Sequence, residues 1–289
     1  MIISGFGMCN GYYHKLKNGT YDLNTFYANR YKRTVPFFAI LIFLDCVIEF
    51  SPEALYEGLM EVTMLFGFLP NNSLKVIGVA WTLGAIFAFY IIFPFTVFLL
   101  YSRRRAIMSF AVSILITFMC QNYFMTKKFV SDSFVMRHSF LYCLPFFLMG
   151  GLIFLYKNEI SSVVNKFKWI CLFVLLALTV GYYITPNIWA SVDIVAIKTL
   201  MLYAGWLCIA LGDENILLSN RVTKHISNIS MEMYLSHMVV FRIIEKTGVA
   251  DKISNSFLRY LIVYIVLVIL LVTVLTLYKK ITSGLFKLR

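Results

Sequence analysis

The sequence predicts an all-α fold, a polytopic transmembrane helix bundle, on three observations. Hydrophobic residues fill 60% of the 289 positions, mean hydropathy is +0.80 and charged residues make up only 14%, a balance foreign to a water-soluble globule. Apolar runs long enough to cross ~30 Å of hydrocarbon recur along the chain. Lys and Arg collect in alternate connections between those runs, the pattern of cytoplasmic loops. The net charge of +12 is thus spread over the ends of apolar runs rather than gathered into one patch, which argues against nucleic acid as a partner and for the lipid bilayer.

Met1 leads straight into Ile2, Ile3, Ser4, Gly5 and Phe6, which reads as the second half of a membrane helix, so an N-terminal truncation is expected. Eight complete spans follow, at about 35–50, 76–101, 106–123, 139–156, 169–185, 194–211, 231–246 and 258–278. The first and seventh are short and carry polar residues. Counting the partial helix and one more upstream, the inferred full-length parent has about ten. No repeat and no Gly/Ser or Pro linker divides the chain, so residues 1–289 are expected to form a single membrane-embedded domain. The loops holding Lys15 to Arg33, Arg103 to Arg105, Lys157 to Lys168, Arg221 with Lys224, and Lys279 to Arg289 share one side. The C-terminus and the segment 10–34 are therefore expected to be cytoplasmic. Cys9, Cys46, Cys120, Cys143, Cys171 and Cys208 stand alone, with no CxxC and no His at ligand spacing, so neither a metal site nor a disulfide framework is indicated.

Several segments could carry chemistry. Arg30 and Arg33 stand three apart and share a face on a helix. Guanidinium forks suit phosphate groups, although a positive-inside anchor reads the same way. In the outer segment 51–72, Glu53, Glu57 and Glu61 form one stripe opposite Leu55, Leu59 and Val62. The stripe is expected to be the solvated face of an amphipathic helix lying on the membrane. Alternatively it lines an outward cavity, which Asp45 and Glu49 extend. Trp81 fits an aromatic belt, and Pro94 a tolerated kink. Ser230, Tyr234, His237 and Phe241 follow helical spacing on one stripe, expected to face the bundle interior; His237 there either hydrogen-bonds across helices or acts on substrate.

Four stretches taken together resemble the acyltransferase-3 family of integral membrane O-acyltransferases. They are Ser4-Gly5-Phe6; FYxxRxxRxxP from Phe26 to Pro36; Trp81-Thr82-Leu83-Gly84 with Phe89-Tyr90 and Pro94; and Ile229-Ser230-Met231-Glu232-Met233-Tyr234-Leu235-Ser236-His237. The resemblance implies transfer of an acyl group, usually acetyl, from acyl-CoA to a hydroxyl of a cell-envelope glycan or lipid-linked saccharide, in a bacterial inner membrane. No bound cofactor is implied; acetyl-CoA is the donor substrate. It implies donor binding by Arg30 and Arg33. Trp81, Tyr90, Glu232, Tyr234 and His237 become candidate acceptor or cavity residues. The family's first helix carries a histidine, preceded by an arginine, that has no counterpart here, so the catalytic residue is unassigned, with His237 as its candidate substitute. The carboxylate that many members carry shortly after the tryptophan is also missing among Gly84, Ala85 and Phe87. A transporter or flippase for lipid-linked sugars, and an inactive acyltransferase-like subunit, are the alternatives.

Overall fold

The computed structural model describes residues 1–69, 74–132, 134–184, 192–212, 220–248, 253 and 255–287. Among them are eleven α-helices and no strand: α1 (Ile2–Lys17), α2 (Leu23–Ile48), α3 (Pro52–Val62), α4 (Trp81–Leu99), α5 (Arg103–Met119), α6 (Phe140–Leu155), α7 (Lys157–Lys166), α8 (Lys168–Ile184), α9 (Val192–Ala210), α10 (Arg221–Lys246) and α11 (Ser256–Lys287). Every run expected to cross the membrane falls on a helix. On length and apolarity three segments suffice alone, Trp81–Leu99, Arg103–Phe124 and Ser256–Thr282, while α6 and α7 qualify as a pair bent by 75°.

The boundaries correct the sequence reading at its two short runs. The helix expected at 35–50 begins at Leu23, and the one expected at 231–246 begins at Arg221. Both open with polar residues that lower the hydropathy of the run without breaking the helix. Conversely, residues 76–80, expected inside a span, are turns ahead of α4. Local signals set the starts: Ser51 accepts from the Ala54 amide at 3.0 Å with Pro52 following it, and Asn220 forms a capping box with Thr223, each satisfying amides that a helix start leaves unbonded.

The helices pack as two compact units, interleaved in sequence. Unit 1 comprises Met1–Asn29, Leu65–Asn72 and Gly84–Leu218; unit 2 comprises Arg30–Met64, Ser73–Leu83 and Ser219–Arg289. In unit 1, α1 lies directly on α6. Gly5 meets the Phe147 carbonyl, and Gly150 meets the Ile2 carbonyl and the Phe6 amide, so two backbones touch where any side chain would hold them apart. This is how membrane helices associate when lipid and core are equally apolar. It also explains Gly5 in the Ser4-Gly5-Phe6 stretch. Around the contact sits an aromatic core in which Phe89 and Phe147 stack at 4.3 Å and Phe26 and Phe93 at 5.9 Å.

Two helices of unit 1 contain proline, and neighbours receive the carbonyls that the proline disturbs. Pro145 cannot bond the Leu141 carbonyl four residues back; the Thr117 hydroxyl on α5 donates to it at 3.1 Å. In the turn loosened by Pro94, the Ile91 carbonyl accepts from the Tyr27 hydroxyl at 2.9 Å. In hydrocarbon such groups have no water to turn to, so these side chains are what make the kinks affordable.

Gly150→Leu should force α1 off α6, because the added atoms meet backbone rather than movable side chains. A loss of at least ~1–3 kcal/mol is expected, read as a lowered melting midpoint of the purified protein in detergent. Gly7→Leu, on a face of α1 with open space, should leave the midpoint unchanged.

Candidate functional site

Six of the seven residues singled out in the sequence fall in unit 2: Arg30, Arg33, Trp81, Glu232, Tyr234 and His237; Tyr90 lies in unit 1. The inward stripe of α2 explains how the two arginines differ. Thr34, Phe37, Phe38, Leu41, Asp45 and Cys46 are buried, and Arg30 continues that stripe, half-buried with its Nε inside the protein. Arg33 is exposed. The pair therefore does not act as one face: one guanidinium is built into the packing and the other reaches out.

On α10 the buried stripe is Ile229, Glu232, Leu235, Ser236 and Val239. This corrects the expectation for Ser230, Tyr234, His237 and Phe241. Ser230 and Tyr234 are exposed, and His237 and Phe241 are half-buried. The spacing of 3.6 residues per turn identified a stripe correctly but could not say which stripe faces inward, and polarity chose the wrong one. The His237 Nδ1 lies 2.5 Å from the Tyr234 carbonyl, so that nitrogen carries hydrogen and Nε2 is the basic one. Glu232, 4% exposed, is paired with Lys279 of α11 at 2.6 Å, and the Ser236 hydroxyl donates to the Glu232 carbonyl at 2.7 Å.

Trp81 is half-buried at the first residue of α4. Tyr90 is half-buried, its ring 5.3 Å from that of Phe87.

The two ends of unit 2 differ in charge, one basic and the other mixed. His225 of α10 bonds Thr276 of α11 at 3.0 Å, and the rings of Phe37 and Tyr278 are 5.1 Å apart. These contacts gather the early turns of α10, the late turns of α11 and the α2 turns that follow Arg30 and Arg33. Arg30, Arg33, Arg221, Lys224, Lys279 and Lys280 belong to that end. The other end holds Asp45, Glu49, Glu53, Glu57, Glu61 and Glu245 together with Lys75, Arg242, Lys246 and Arg259, so it is rich in carboxylates but mixed in charge.

Sequence reading missed the centre of the acidic end. Arg242 donates from Nη1 to both Asp45 oxygens, at 2.7 and 2.8 Å, and from Nη2 to the Lys75 carbonyl at 2.9 Å. Glu57 Oε1 accepts from the amides of Lys75 and Val76, and Lys246 donates to the Ile48 carbonyl at 2.6 Å. The signal was available. Asp45 and Arg242 stand at matching depth in two helices that run the same way, each an isolated charge near the end of an apolar run.

The acidic stripe of α3 departs from the expectation at two of its three residues: Glu53 is exposed, but Glu57 is half-buried and Glu61 buried. Glu61 is 1% exposed, whereas Leu55 is 48% and Leu59 60% exposed; Gly58 is buried against Ile42. Glu57 faces the protein because the amides of Lys75 and Val76 need acceptors, and the leucines are left on the exposed face. Neither oxygen of Glu61 makes a well-formed hydrogen bond among the described residues. Burial, and then the neighbouring Glu57 carboxylate, push the Glu61 carboxyl up to about 9, so it carries a proton at neutral pH.

A chain whose regular structure among the described residues is all helical, with helices this apolar, is a membrane protein. The chain belongs to the acyltransferase-3 family: the family model described as an acyltransferase domain matches residues 1–277. It is an acyltransferase on that ground. No curated protein and no solved structure matches.

Two variants test the acidic end. Arg242→Met leaves the Asp45 carboxylate buried without its guanidinium and should cost ~3–5 kcal/mol; combined with Asp45→Leu, which removes the charge as well, most of that loss should return in thermal melting. For Glu61 the sign runs against alkali. An unfolded chain releases this proton near pH 4.5 and the folded one near 9, so stability falls as pH rises between those values. Glu61→Gln should raise the melting midpoint at pH 8 and give no advantage at pH 4.

Proposed function

We propose that the protein is a membrane O-acyltransferase that takes a short acyl group, in the first instance acetyl, from acyl-CoA on the cytoplasmic side and delivers it to a hydroxyl of a cell-envelope glycan. The observation that supports this reading is the cluster of cations at one end of unit 2. A coenzyme A donor is polyanionic, with a 3′-phosphate and a pyrophosphate, and the end formed by α2, α10 and α11 offers Arg30, Arg33, Arg221 and Lys224. Guanidinium groups bind such phosphates through paired hydrogen bonds. The carboxyl-rich end, with donors and acceptors side by side, suits a polyhydroxylic, uncharged acceptor.

Roles follow from placement. Arg30, fixed in the α2 packing, orients one phosphate; Arg33, exposed, captures another. Lys279 is engaged by Glu232, which turns that ammonium toward the interior of unit 2 and away from competition for the donor's phosphates. Acyl transfer breaks the thioester carbon–sulfur bond and forms an ester to the acceptor oxygen, while the hydroxyl proton passes to a base and the thiolate leaves as the thiol. The His237 Nε2 is the basic nitrogen that α10 presents for that proton, and this base assignment is part of the same proposal.

Membranes containing the protein should incorporate label from radiolabelled acetyl-CoA into envelope polysaccharide. Arg30→Ala should raise the KM for acetyl-CoA about 10- to 100-fold, the worth of a charge-assisted phosphate contact. It should also erase the preference for acetyl-CoA over its 3′-dephospho analogue if Arg30 holds that phosphate. Wild-type KM and preference in both Arg30→Ala and Arg33→Ala would remove the donor role, and movement of glycan without covalent label would replace the enzyme by a transporter.

A further inference from the structure

In unit 1 a cleft of about 350 Å³ opens between the apolar helices α8 and α9. The two helices are joined at three levels. Leu175 lies against Gly205, the Trp206 Nε1 donates to the Thr179 hydroxyl at 3.1 Å, and the hydroxyls of Tyr182 and Thr199 are 2.9 Å apart. Beside these contacts the wall stays open at Gly181, where an added Cβ meets nothing within 4 Å. Lys198 stands at one end of the cleft with Tyr182 and Gly181, while Leu178, Met201 and Leu202 continue it toward the middle of both helices. Tyr182 is two residues from the end of α8. Lys198 is six residues from the start of α9, about 9 Å along its axis. A lysine stem spans that depth, so the ammonium reaches the lipid–water boundary while the rest of the lining lies in hydrocarbon.

The charge of this cleft has one sign. No carboxylate occurs among its described lining residues, and among the described residues Lys198 makes no ion pair. Asp193, the nearest acid in the sequence of α9, stands five residues away, off the spacings of three and four that bring helix side chains together. The Thr199 hydroxyl gives its hydrogen to the Val195 carbonyl at 2.7 Å, so Tyr182 gives its own to Thr199 and keeps only acceptor capacity. The ammonium is therefore the group that selects the head. A cation in an apolar wall calls for a counter-charge, which a neutral head does not offer and which a zwitterionic head offers with a competing cation attached. We propose that this cleft binds an anionic phospholipid, with its phosphodiester on Lys198 and an acyl chain along Leu178, Met201 and Leu202. On the opposite face of α9, Leu200 and Ala204 pack with Ile2 of α1 and Ile153 of α6, so the bound lipid steadies a helix on which the core of unit 1 is built. The proposal does not depend on the acyl-transfer reading.

The test uses the full chain in phosphatidylcholine nanodiscs. The probe is phosphatidylglycerol with a diazirine in one acyl chain, and peptides labelled on irradiation are mapped by mass spectrometry. Those containing Leu178 and Met201 should label saturably. Unlabelled phosphatidylglycerol should displace the probe from them about five- to ten-fold more effectively than phosphatidylethanolamine. Lys198→Met should erase that preference and Lys198→Arg should keep it. Gly181→Leu, which puts bulk into open space and leaves the charge in place, should abolish the saturable labelling. Equal displacement by the two phospholipids, a preference unchanged in Lys198→Met, or labelling unchanged in Gly181→Leu would overturn the proposal. Displacement by palmitate at lower mole fraction than by phosphatidylglycerol would replace the phospholipid with a fatty acid and overturn it as well. So would a Lys198→Met protein whose melting midpoint falls equally with and without phosphatidylglycerol, since the ammonium would then serve a partner within the chain.

Discussion

One guanidinium organises the acidic end of unit 2. Arg242 neutralises Asp45 of α2, holds the Lys75 carbonyl and thereby pins the turns before α4. The same turns are gripped from the other side by Glu57 of α3. A carboxylate as buried as Asp45, whose side chain is 4% exposed, has a place in an apolar surrounding only with a partner that also satisfies its hydrogen bonds, and the fork geometry of arginine supplies both at once. The positions of α2, α3 and α10 relative to one another follow from that pairing. Glu61, with no ion-pair partner among the described residues, accommodates to the same apolar environment by keeping its proton.

A second constraint works throughout unit 1. Every kink removes a backbone hydrogen bond, and hydrocarbon offers nothing in exchange. Thr117 and Tyr27 therefore serve α6 and α4 as external donors, while Gly5 and Gly150 bring α1 within backbone contact of α6. These are small and mid-sized polar or achiral residues scattered through apolar runs. Their spacing in the chain carries little meaning until the helices are side by side.

Much of the architecture was legible because the bilayer imposes a single length scale. Each apolar run marked a helix, and prolines inside runs did not end them. Helix starts were less legible where polar turns precede the apolar part, as before Val35 in α2 and before Met231 in α10. The acyltransferase-3 resemblance rested on short stretches that the family model now spans with residues 1–277. Facing was the weak point. Glu57 and Glu61 read as a solvated stripe and point inward, whereas Ser230 and Tyr234 read as an interior stripe and are exposed. Both errors have one cause: hydropathy ranks residues by what they prefer in isolation, and Glu57 turns inward to meet the amides of Lys75 and Val76, 18 and 19 residues further along the chain.

The inverted helix α3 gives the protein a mechanical property. It is fastened to unit 2 by carboxylate-to-amide bonds and presents Leu55, Tyr56, Leu59 and Met60 outward, so it behaves as a float moored by a short line. Because the amides that hold Glu57 belong to Lys75 and Val76, a displacement of α3 would be carried directly to the turns ahead of α4.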